Sequence, residues 1–202
     1  MAYITLLRHG RSKADDENVF ESRYDSELTS AGRLQIQSRI QEWALDPARG
    51  YDLIVTSPLR RAVSTAAVVS AHYGAPVVEE VLLNEVDAGH LSGMDKGEGM
   101  KKYPLPAFTG PYERIVAGSG ESEAQLHARA LLAVELILNM KKSRYLVVSH
   151  GMMLNAMLRS MFGIPIPVNR NGVYFRFADA GFMDLVYDEA THRWAVLRFV
   201  GN

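Results

Sequence analysis

Short apolar runs rich in branched side chains alternate along the chain with segments of helical periodicity. The runs occupy residues 4–7, 52–55, 76–78 and 145–148, and each has a length typical of a strand. Strands that alternate with helices predict a largely parallel sheet with helices packed against it. The pattern therefore predicts an α/β fold.

Three segments between or after these runs carry apolar residues at the spacing of one helix face. Ser57 and Pro58 predict the start of the second helix, because serine is a good N-cap and proline fits the first helical position. Ser122 and Gln125 form a capping-box pattern at the start of the third. The three faces comprise Ile36, Ile40, Trp43 and Ala44; Leu59, Ala62, Val63, Ala66 and Tyr73; and Leu126, Ala130, Ala133, Val134, Ile137 and Leu138.

Two later regions depart from this alternation. The tail predicts consecutive strands at 173–177, 182–187 and 194–199, which would make the sheet mixed. Residues 87–120 are rich in glycine, proline and polar side chains, and this stretch is long for an ordinary connection. We expect it to form a lid or a substrate-binding insertion.

The composition narrows the class of protein. A chain of 202 residues has an ordinary size for one domain, so we expect residues 1–202 to form a single domain. The net charge of −1 gives no general attraction to nucleic acid or to an anionic membrane. The sequence has no cysteine for disulfides or thiolate chemistry, and no apolar run of the roughly 18 residues that a membrane span needs. We expect a cytoplasmic protein that binds neither nucleic acid nor membrane.

Chemically active side chains follow several of the apolar runs. Arg8 and His9 follow the first run, residues 57–61 follow the second, Glu85 follows residues 81–83, and His150 follows the run at 145–148. Because the carboxyl ends of parallel strands meet at one edge of a sheet, we expect these groups to converge. A lone histidine is more often a hydrogen-bonded core residue, but two histidines at neighbouring strand ends favour a site.

The converging cations predict an anion site. Arg60 and Arg61 lie in the predicted first turn of a helix, where the positive end of the helix dipole disfavours cations unless an anion is present. We assign Arg60 to the site with Arg8 and expect Arg61 to extend into water. Gly151 lets the backbone approach a ligand at the start of another predicted helix. Guanidinium groups favour phosphate over a carboxylate ligand, and Glu85 in such a site is best explained as a proton donor.

These residues occur in blocks whose order resembles the histidine phosphatase superfamily, in the branch of cofactor-dependent phosphoglycerate mutases and their phosphatase relatives. The resemblance spans nearly the whole chain and implies a three-layer α/β sandwich on a mostly parallel sheet with an antiparallel strand. Its blocks are Arg8-His9-Gly10, residues 24–32, residues 56–62 with Thr65 and Ala66, Asn84-Glu85 with Gly89 and Gly93, Gly120-Glu121-Ser122, and residues 147–151.

The resemblance implies a role for each residue of the expected site. His9 would attack phosphorus and form a phosphohistidine, for which its ring must be neutral. Arg8, Arg60 and His150 would hold the phosphoryl oxygens and stabilise the transition state, so no metal and no cofactor is expected. Glu85 would protonate the leaving oxygen and then accept a proton from the hydrolytic water.

Two positions depart from the family pattern. Asp15 stands where many members have asparagine, and Ser22 stands where many have glycine. A carboxylate facing phosphate would weaken binding, so Asp15 either turns outward, with Asn18 in its place, or meets a cationic part of the substrate. We retain Asp15, Ser22 and Gly151 as candidate substrate-binding residues.

The sequence favours a phosphatase over a mutase. Mutase relatives carry a long basic insertion after the glutamate, whereas this interval offers only Lys96, Lys101, Lys102 and Arg114. We therefore expect a small-molecule phosphomonoester as substrate. Candidate substrate contacts, which are equally explained as lid packing, are Met94, Tyr103, Phe108 and Tyr112.

Two alternative functions and the oligomeric state remain open at this point. His9, His90 and His150 with Asp87 would ligate a metal in a metal-dependent hydrolase, although neighbouring arginines disfavour a cation. A silent phosphate-binding module would keep the fold without turnover. The tail strands either leave an edge that pairs in a homodimer or are covered by the chain itself.

Overall fold

The computed structural model describes residues 1–116, 118–169 and 171–201. Within this part of the chain a six-stranded sheet and a separate two-stranded hairpin are present. The sheet strands are β1 (Ala2–Arg8), β2 (Leu53–Thr56), β3 (Val77–Glu79), β6 (Arg144–Ser149), β7 (Phe182–Asp188) and β8 (Arg193–Val200), and the hairpin strands are β4 (Arg114–Val116) and β5 (Ser119–Ser122). The helices are α1 (Lys13–Glu17), α2 (Ser30–Trp43), α3 (Arg60–Tyr73), α4 (Lys96–Lys102), α5 (Glu123–Asn139) and α6 (Gly151–Phe162).

The sheet is mixed, in the order β3-β2-β6-β1-β7-β8. Strands β1, β2, β3 and β6 are parallel, whereas β7 runs antiparallel to both β1 and β8. Central strands of this kind are buried on both faces, which explains their nearly continuous apolar runs. The predicted mixed sheet is confirmed.

Alternate residues of the central strands pack against opposite helix layers. Ile4 and Leu6 belong to an apolar core with the buried faces of α5 and α6. Leu7 belongs to a second core with α2 and α3, as do Ile54 and Leu146 of the neighbouring strands. Helices therefore cover both faces, and the predicted three-layer α/β sandwich is confirmed.

Three predicted elements differ in the structure. Residues 173–177 do not form a strand, because the side chain of Asn155 takes up the backbone N–H and C=O of Phe175 at 2.8 and 2.9 Å. Residues 81–83 form a 3₁₀ turn rather than a strand. Helix α3 begins at Arg60 with Leu59 as N-cap, not at Ser57 and Pro58. The capping box of Ser122 and Gln125 is present as predicted.

The segment 87–120 contains a 3₁₀ turn at Gly89–Leu91, helix α4 and most of the β4–β5 hairpin. One of its residues, Ala117, lies outside the described part of the chain. Its role as a lid stays a prediction, as do the single domain and the homodimer. No helix in the described ranges is both long enough and apolar enough to cross a membrane.

Candidate active site

The carboxyl ends of three parallel strands bring the predicted residues together. Arg8 at the end of β1 is in register with Ser149 at the end of β6, and Thr56 at the end of β2 is in register with Val148. The next residue along each strand is a polar site residue: His9, His150 and Ser57. The rings of His9 and His150 lie 5.0 Å apart between centroids. The sequence-based expectation of convergence at this edge is correct for these strands.

The hydrogen bonds of His9 determine which ring nitrogen faces the site. Its Nδ1 lies 2.7 Å from the carbonyl oxygen of Gly10, and because a carbonyl only accepts, Nδ1 carries the proton. Nε2 is therefore free of hydrogen in the neutral ring. Arg61 donates its Nε–H to this Nε2 across 3.3 Å. The side chain of His9 is buried, and its contacts with Gly10 and Arg61 fix the direction of the Nε2 lone pair.

The surroundings of His9 keep the ring neutral. Burial lowers the pKa of His9 well below the ordinary histidine value, and the charges of Arg61 and Arg8 lower it further. Burial likewise lowers the pKa of His150, with contributions from Arg61 and His9. Both rings are therefore neutral in the empty site near neutral pH.

Gly10 permits the close packing that holds His9 in place. A Cβ at this position would lie 2.6 Å from the carbonyl oxygen of Gly32 in α2. The Gly10 N–H also donates to Thr65 Oγ1 of α3 at 3.2 Å. The turn after His9 is therefore clamped between two helices, and no larger residue fits without a backbone shift.

Arg61, not Arg60, occupies the site, which corrects the sequence-based assignment. The Arg61 side chain is 0% exposed and lies on the same face of α3 as Thr65. Its guanidinium also donates to the carbonyl oxygens of Tyr24 and Ser22, at 2.8 and 3.0 Å. The Arg60 side chain is 57% exposed and pairs with Glu27 at the surface. The two adjacent arginines differ because neighbouring helical residues point about 100° apart, and only Arg61 falls on the buried face of α3.

His150 is held by a chain of hydroxyl and amide groups. Ser57 Oγ donates to Asn84 Oδ1 at 2.9 Å, so it accepts from His150 Nε2, which lies 2.8 Å away. The Nδ1 of His150 is buried without a hydrogen-bond partner among the described residues. A buried polar atom without a partner is costly, and an anionic ligand accepting from a protonated Nδ1 would remove that cost.

Glu85 lies at the amino-terminal end of α6. One carboxylate oxygen accepts from the N–H of Val86 and of Met153, at 2.9 and 3.1 Å, and the other accepts from Met152 at 3.3 Å. Burial raises the pKa of Glu85, against the opposing effect of these N–H groups and of Arg61. A carboxyl with a raised pKa at a buried position is suited to donate a proton.

Arg8 reaches the opposite side of the site. Its Nη1 donates to the carbonyl oxygen of Phe177 at 3.0 Å, and its Nη2 lies 3.3 Å from Asp179 Oδ1 and 4.0 Å from Asp15 Oδ1. The Nε of Arg8 is buried and has no partner among the residues described. Arg8 therefore retains a donor for a ligand while its terminal nitrogens are held by the protein.

Asp15 and Ser22 position the loops around the site. Asp15 Oδ2 accepts from Ser12 N at 2.8 Å in the capping box of α1, so this oxygen is turned toward its own helix. Ser22 has a φ of 44°, a left-handed conformation that explains why glycine is also suited there. Its hydroxyl bridges the Val86 carbonyl and the Ala88 N–H, at 2.8 and 2.7 Å. Gly151 begins α6, and a Cβ there would meet only Tyr174 Oη, at 4.0 Å.

Glu21 is a site residue that the sequence analysis missed. Its Oε1 accepts a hydrogen bond from Ser12 and lies 3.5 Å from Arg61 Nε, and its Oε2 lies 3.6 Å from His9 Nε2. One indication of this role was present in the sequence: Glu21 is adjacent to Ser22, which was already a candidate substrate-binding residue.

Other candidate residues lie elsewhere. Met94 and Tyr103 pack with a small apolar cluster of the 87–120 segment, and Phe108 and Tyr112 are exposed. His90 stacks on Tyr103 at 6.0 Å between ring centroids. Within the described ranges no three side chains of the metal-binding types are grouped closely enough to hold a metal ion. The metal-site alternative of His9, His90, His150 and Asp87 is therefore wrong in its geometry.

The fold is the three-layer α/β sandwich that the resemblance to the histidine phosphatase superfamily implies. The family profile described as histidine phosphatase superfamily (branch 1) matches residues 4–199. The chain therefore belongs to the histidine phosphatase superfamily.

Similar proteins carry several activities. A 2,3-bisphosphoglycerate-dependent phosphoglycerate mutase of Methylobacterium radiotolerans is 32% identical over 170 residues, which cover 80% of this chain and 79% of the relative. A putative phosphoserine phosphatase 2 of Hydrogenobacter thermophilus is 28% identical over 167 residues, covering 81% of this chain and 80% of that one. A solved structure of a mycobacterial glucosyl-3-phosphoglycerate phosphatase with VO3 has a TM-score of 0.82, with 20% identity and full coverage of both chains.

Proposed function

We propose that the protein is a phosphatase that hydrolyses phosphomonoesters through a phosphohistidine on His9. The observation that carries this proposal is the state of His9: a buried, neutral ring whose Nδ1 is fixed by Gly10 and whose Nε2 lone pair faces Arg61. A nucleophile needs an available lone pair held in one direction, and this ring has both.

The first step transfers the phosphoryl group to His9. Nε2 forms the new bond to phosphorus as the bond to the ester oxygen breaks, and that oxygen takes its proton from Glu85. Arg61, the free Nε–H of Arg8 and a protonated His150 Nδ1 would bind the phosphoryl oxygens. The arginine donors are already in place and His150 takes up its second proton when the dianion binds, so little reorganisation accompanies the build-up of charge.

The second step returns the enzyme to its starting state. Water attacks phosphorus, its proton goes to the Glu85 carboxylate, and the bond from phosphorus to Nε2 breaks to release inorganic phosphate. The buried His9 ring recovers its lone pair. No step requires a metal ion, because arginine and histidine donors supply the positive charge.

The cavity beside Glu85 favours hydrolysis of esters with an apolar leaving group. Its volume is about 470 Å³ and its lining is mainly apolar, and it includes Val86 and Met152, whose N–H groups hold the Glu85 carboxylate. Its one lining arginine, Arg159, lies 3.9 Å from Glu123 and is already paired. Lys96, Lys101, Lys102 and Arg114 are exposed and do not line it.

A phosphoglycerate mutase is the second candidate, because the relative from Methylobacterium radiotolerans carries that name. A mutase must hold a second acidic group of its substrate. Arg23 is the best residue for this role: its charge acts on both Glu85 and His150, and its Nε is buried without a partner among the described residues. Its Nη2 is 3.9 Å from Glu121, which is already bound by Arg129.

One set of assays separates the candidates. Phenyl phosphate, phosphoserine and 3-phosphoglycerate are supplied to the wild-type protein, and both inorganic phosphate and 2-phosphoglycerate are measured. We expect phosphate release, fastest from phenyl phosphate, inhibition by vanadate, and no effect of a chelator. Conversion of 3-phosphoglycerate to 2-phosphoglycerate faster than phosphate release would establish the mutase. Loss of activity with the chelator would reject metal-free catalysis, and no turnover on any substrate would favour a silent binding module.

A further inference from the structure

The carboxylate of Glu21 lies where a transferred phosphoryl group would have to be. Its Oε2 is 3.6 Å from the nucleophilic Nε2 of His9, and its Oε1 is 3.5 Å from Arg61 Nε and is hydrogen-bonded by Ser12. The side chain is largely buried. In the empty site, an anion that belongs to the protein itself therefore contacts both His9 and Arg61.

Glu21 and a phosphoryl group exclude each other from this position. Attack requires phosphorus about 3–3.5 Å from Nε2, and an oxygen of the group must accept from Arg61. A carboxylate oxygen 3.6 Å from the same nitrogen fills this volume. The Glu21 side chain must therefore leave before the phosphoryl group can reach His9.

The backbone on each side of Glu21 is fixed, so the movement falls to its side chain. Phe20 is paired through its backbone with Met94 and Gly93, at 2.9 and 2.8 Å. Ser22 is fixed by its hydroxyl to the segment that follows Glu85. Rotation of the Glu21 side chain costs little by comparison with displacing this loop.

The arginines that would bind the phosphoryl group already face carboxylates of the protein. Arg61 is fully buried, and Glu21 is the carboxylate found within 4 Å of it in the described ranges. Arg8 is likewise faced by Asp15 and Asp179. Both arginines of the empty site thus already face carboxylates of the protein, and a phosphate dianion gains Arg61 only by giving up the attraction between Arg61 and Glu21.

We propose that Glu21 limits inhibition by the product, because it competes with phosphoryl groups for Arg61 and His9. Inorganic phosphate must displace the carboxylate and has only the contacts of the phosphoryl group to offset that cost, so it binds weakly and leaves readily. An ester displaces the same carboxylate but also buries its leaving group in the cavity beside Glu85. Glu21 thereby weakens the binding of both, but only the ester has leaving-group contacts that offset the cost, so inhibition by the product is limited. This inference rests on the proposed function, because it assumes that His9 and Arg61 receive the phosphoryl group.

The test compares Glu21→Gln with Glu17→Gln. Glutamine keeps the size of the side chain and removes its charge, whereas Glu17 is exposed and its carboxylate accepts from Tyr24 Oη at 3.2 Å. Binding of inorganic phosphate is measured by titration calorimetry, and KM, kcat and inhibition by phosphate are measured with phenyl phosphate. We expect Glu21→Gln to bind phosphate at least about tenfold more tightly, with a fall in KM for the ester of similar size, and Glu17→Gln to behave as wild type.

Each result has a defined meaning. Unchanged or weaker phosphate binding in Glu21→Gln would overturn the proposal, as would an equal gain in Glu17→Gln. Glu21→Asp keeps the charge on a shorter side chain, and phosphate binding closer to wild type than to Glu21→Gln supports competition by charge. Because calorimetry needs no turnover, tighter phosphate binding in a protein that hydrolyses no ester would reject the phosphatase function alone. Thermal unfolding of each variant verifies that it is folded.

Discussion

Arg61 donates its Nε–H to Nε2 of His9 across 3.3 Å, in a part of the protein that excludes solvent from both side chains. The donor lies against the lone pair that would attack phosphorus. When a phosphoryl group bonds to this nitrogen, the Arg61 Nε–H can donate its hydrogen bond to a phosphoryl oxygen instead. Arg61 would then lower the His9 pKa in the empty enzyme and stabilise charge in the transition state.

The two adjacent arginines predict opposite results on substitution. Arg61→Ala is expected to lower kcat/KM by about 10²–10³ or more, because it removes a fixed donor to the developing charge. Arg60→Ala removes only an exposed pair with Glu27 and is expected to change kcat/KM by less than about twofold. Steady-state kinetics with phenyl phosphate checks both, and the reverse order of effects would place Arg60 in the site.

Glu85→Gln is expected to slow phosphoryl transfer most for esters with a poor leaving group. Glutamine retains acceptance from the backbone N–H groups but donates no proton to the leaving oxygen. Transfer from phenyl phosphate should fall by about 10²-fold or more, and transfer from p-nitrophenyl phosphate much less, since nitrophenolate barely needs a proton. Rates of phosphoenzyme formation give the comparison. Equal losses for both esters would mean that Glu85 is not the acid.

The pH dependence of kcat/KM follows from the shifted pKa values of His9 and Glu85. Burial, Arg61 and Arg8 lower the pKa of His9, so the neutral nucleophile persists below the ordinary histidine value of 6.5. Burial raises the pKa of Glu85, so the proton donor persists above the ordinary value of 4.5. We expect kcat/KM for phenyl phosphate to be bell-shaped, rising through the lowered His9 pKa and falling above the raised Glu85 pKa. An acid limb above 6.5 would contradict the assignment of His9.

Gly10→Ala is expected to destabilise the fold. Its Cβ would lie 2.6 Å from a backbone carbonyl of α2, so strand, turn or helix must shift, at a cost of about 1–3 kcal/mol. Gly50→Ala is the control, because no atom of the described residues beyond its chain neighbours lies within 4 Å of its added Cβ. Urea unfolding measures the difference, and equal stabilities would show that the turn after His9 is not tightly packed.

The sequence predicted the parts of the fold that arise from local periodicity. Strands β1, β2 and β6 are buried on both faces and therefore stand out as apolar runs. The end of each such strand carries a site residue, so His9 and His150 could be placed together before the structure was known. The capping box at Ser122 was predictable because it depends only on residues three apart.

The rest depended on contacts distant in sequence. Ser57 bonds to Asn84 and His150, and α3 begins later than Ser57-Pro58 predicts, at Arg60 with Leu59 as N-cap. Which of the two adjacent arginines faces the site depends on the helix face that packs inward, and that face includes Arg61. Residues 173–177 look like a strand, but Asn155 binds the backbone of Phe175 instead. Glu21 lies near His9 because of the conformation of its loop, which depends on contacts distant in sequence and has no local sequence pattern.

The most direct test of the account is to trap the phosphoenzyme. Wild-type protein and His9→Ala are mixed with ³²P-labelled phenyl phosphate and denatured within a turnover, and protein-bound label is tested for stability in acid and in base. We predict label on the wild type only, labile in acid and stable in base, as expected of a phosphohistidine, with inorganic phosphate accumulating. Turnover without any bound label, or equal labelling of His9→Ala, would contradict the central role of His9.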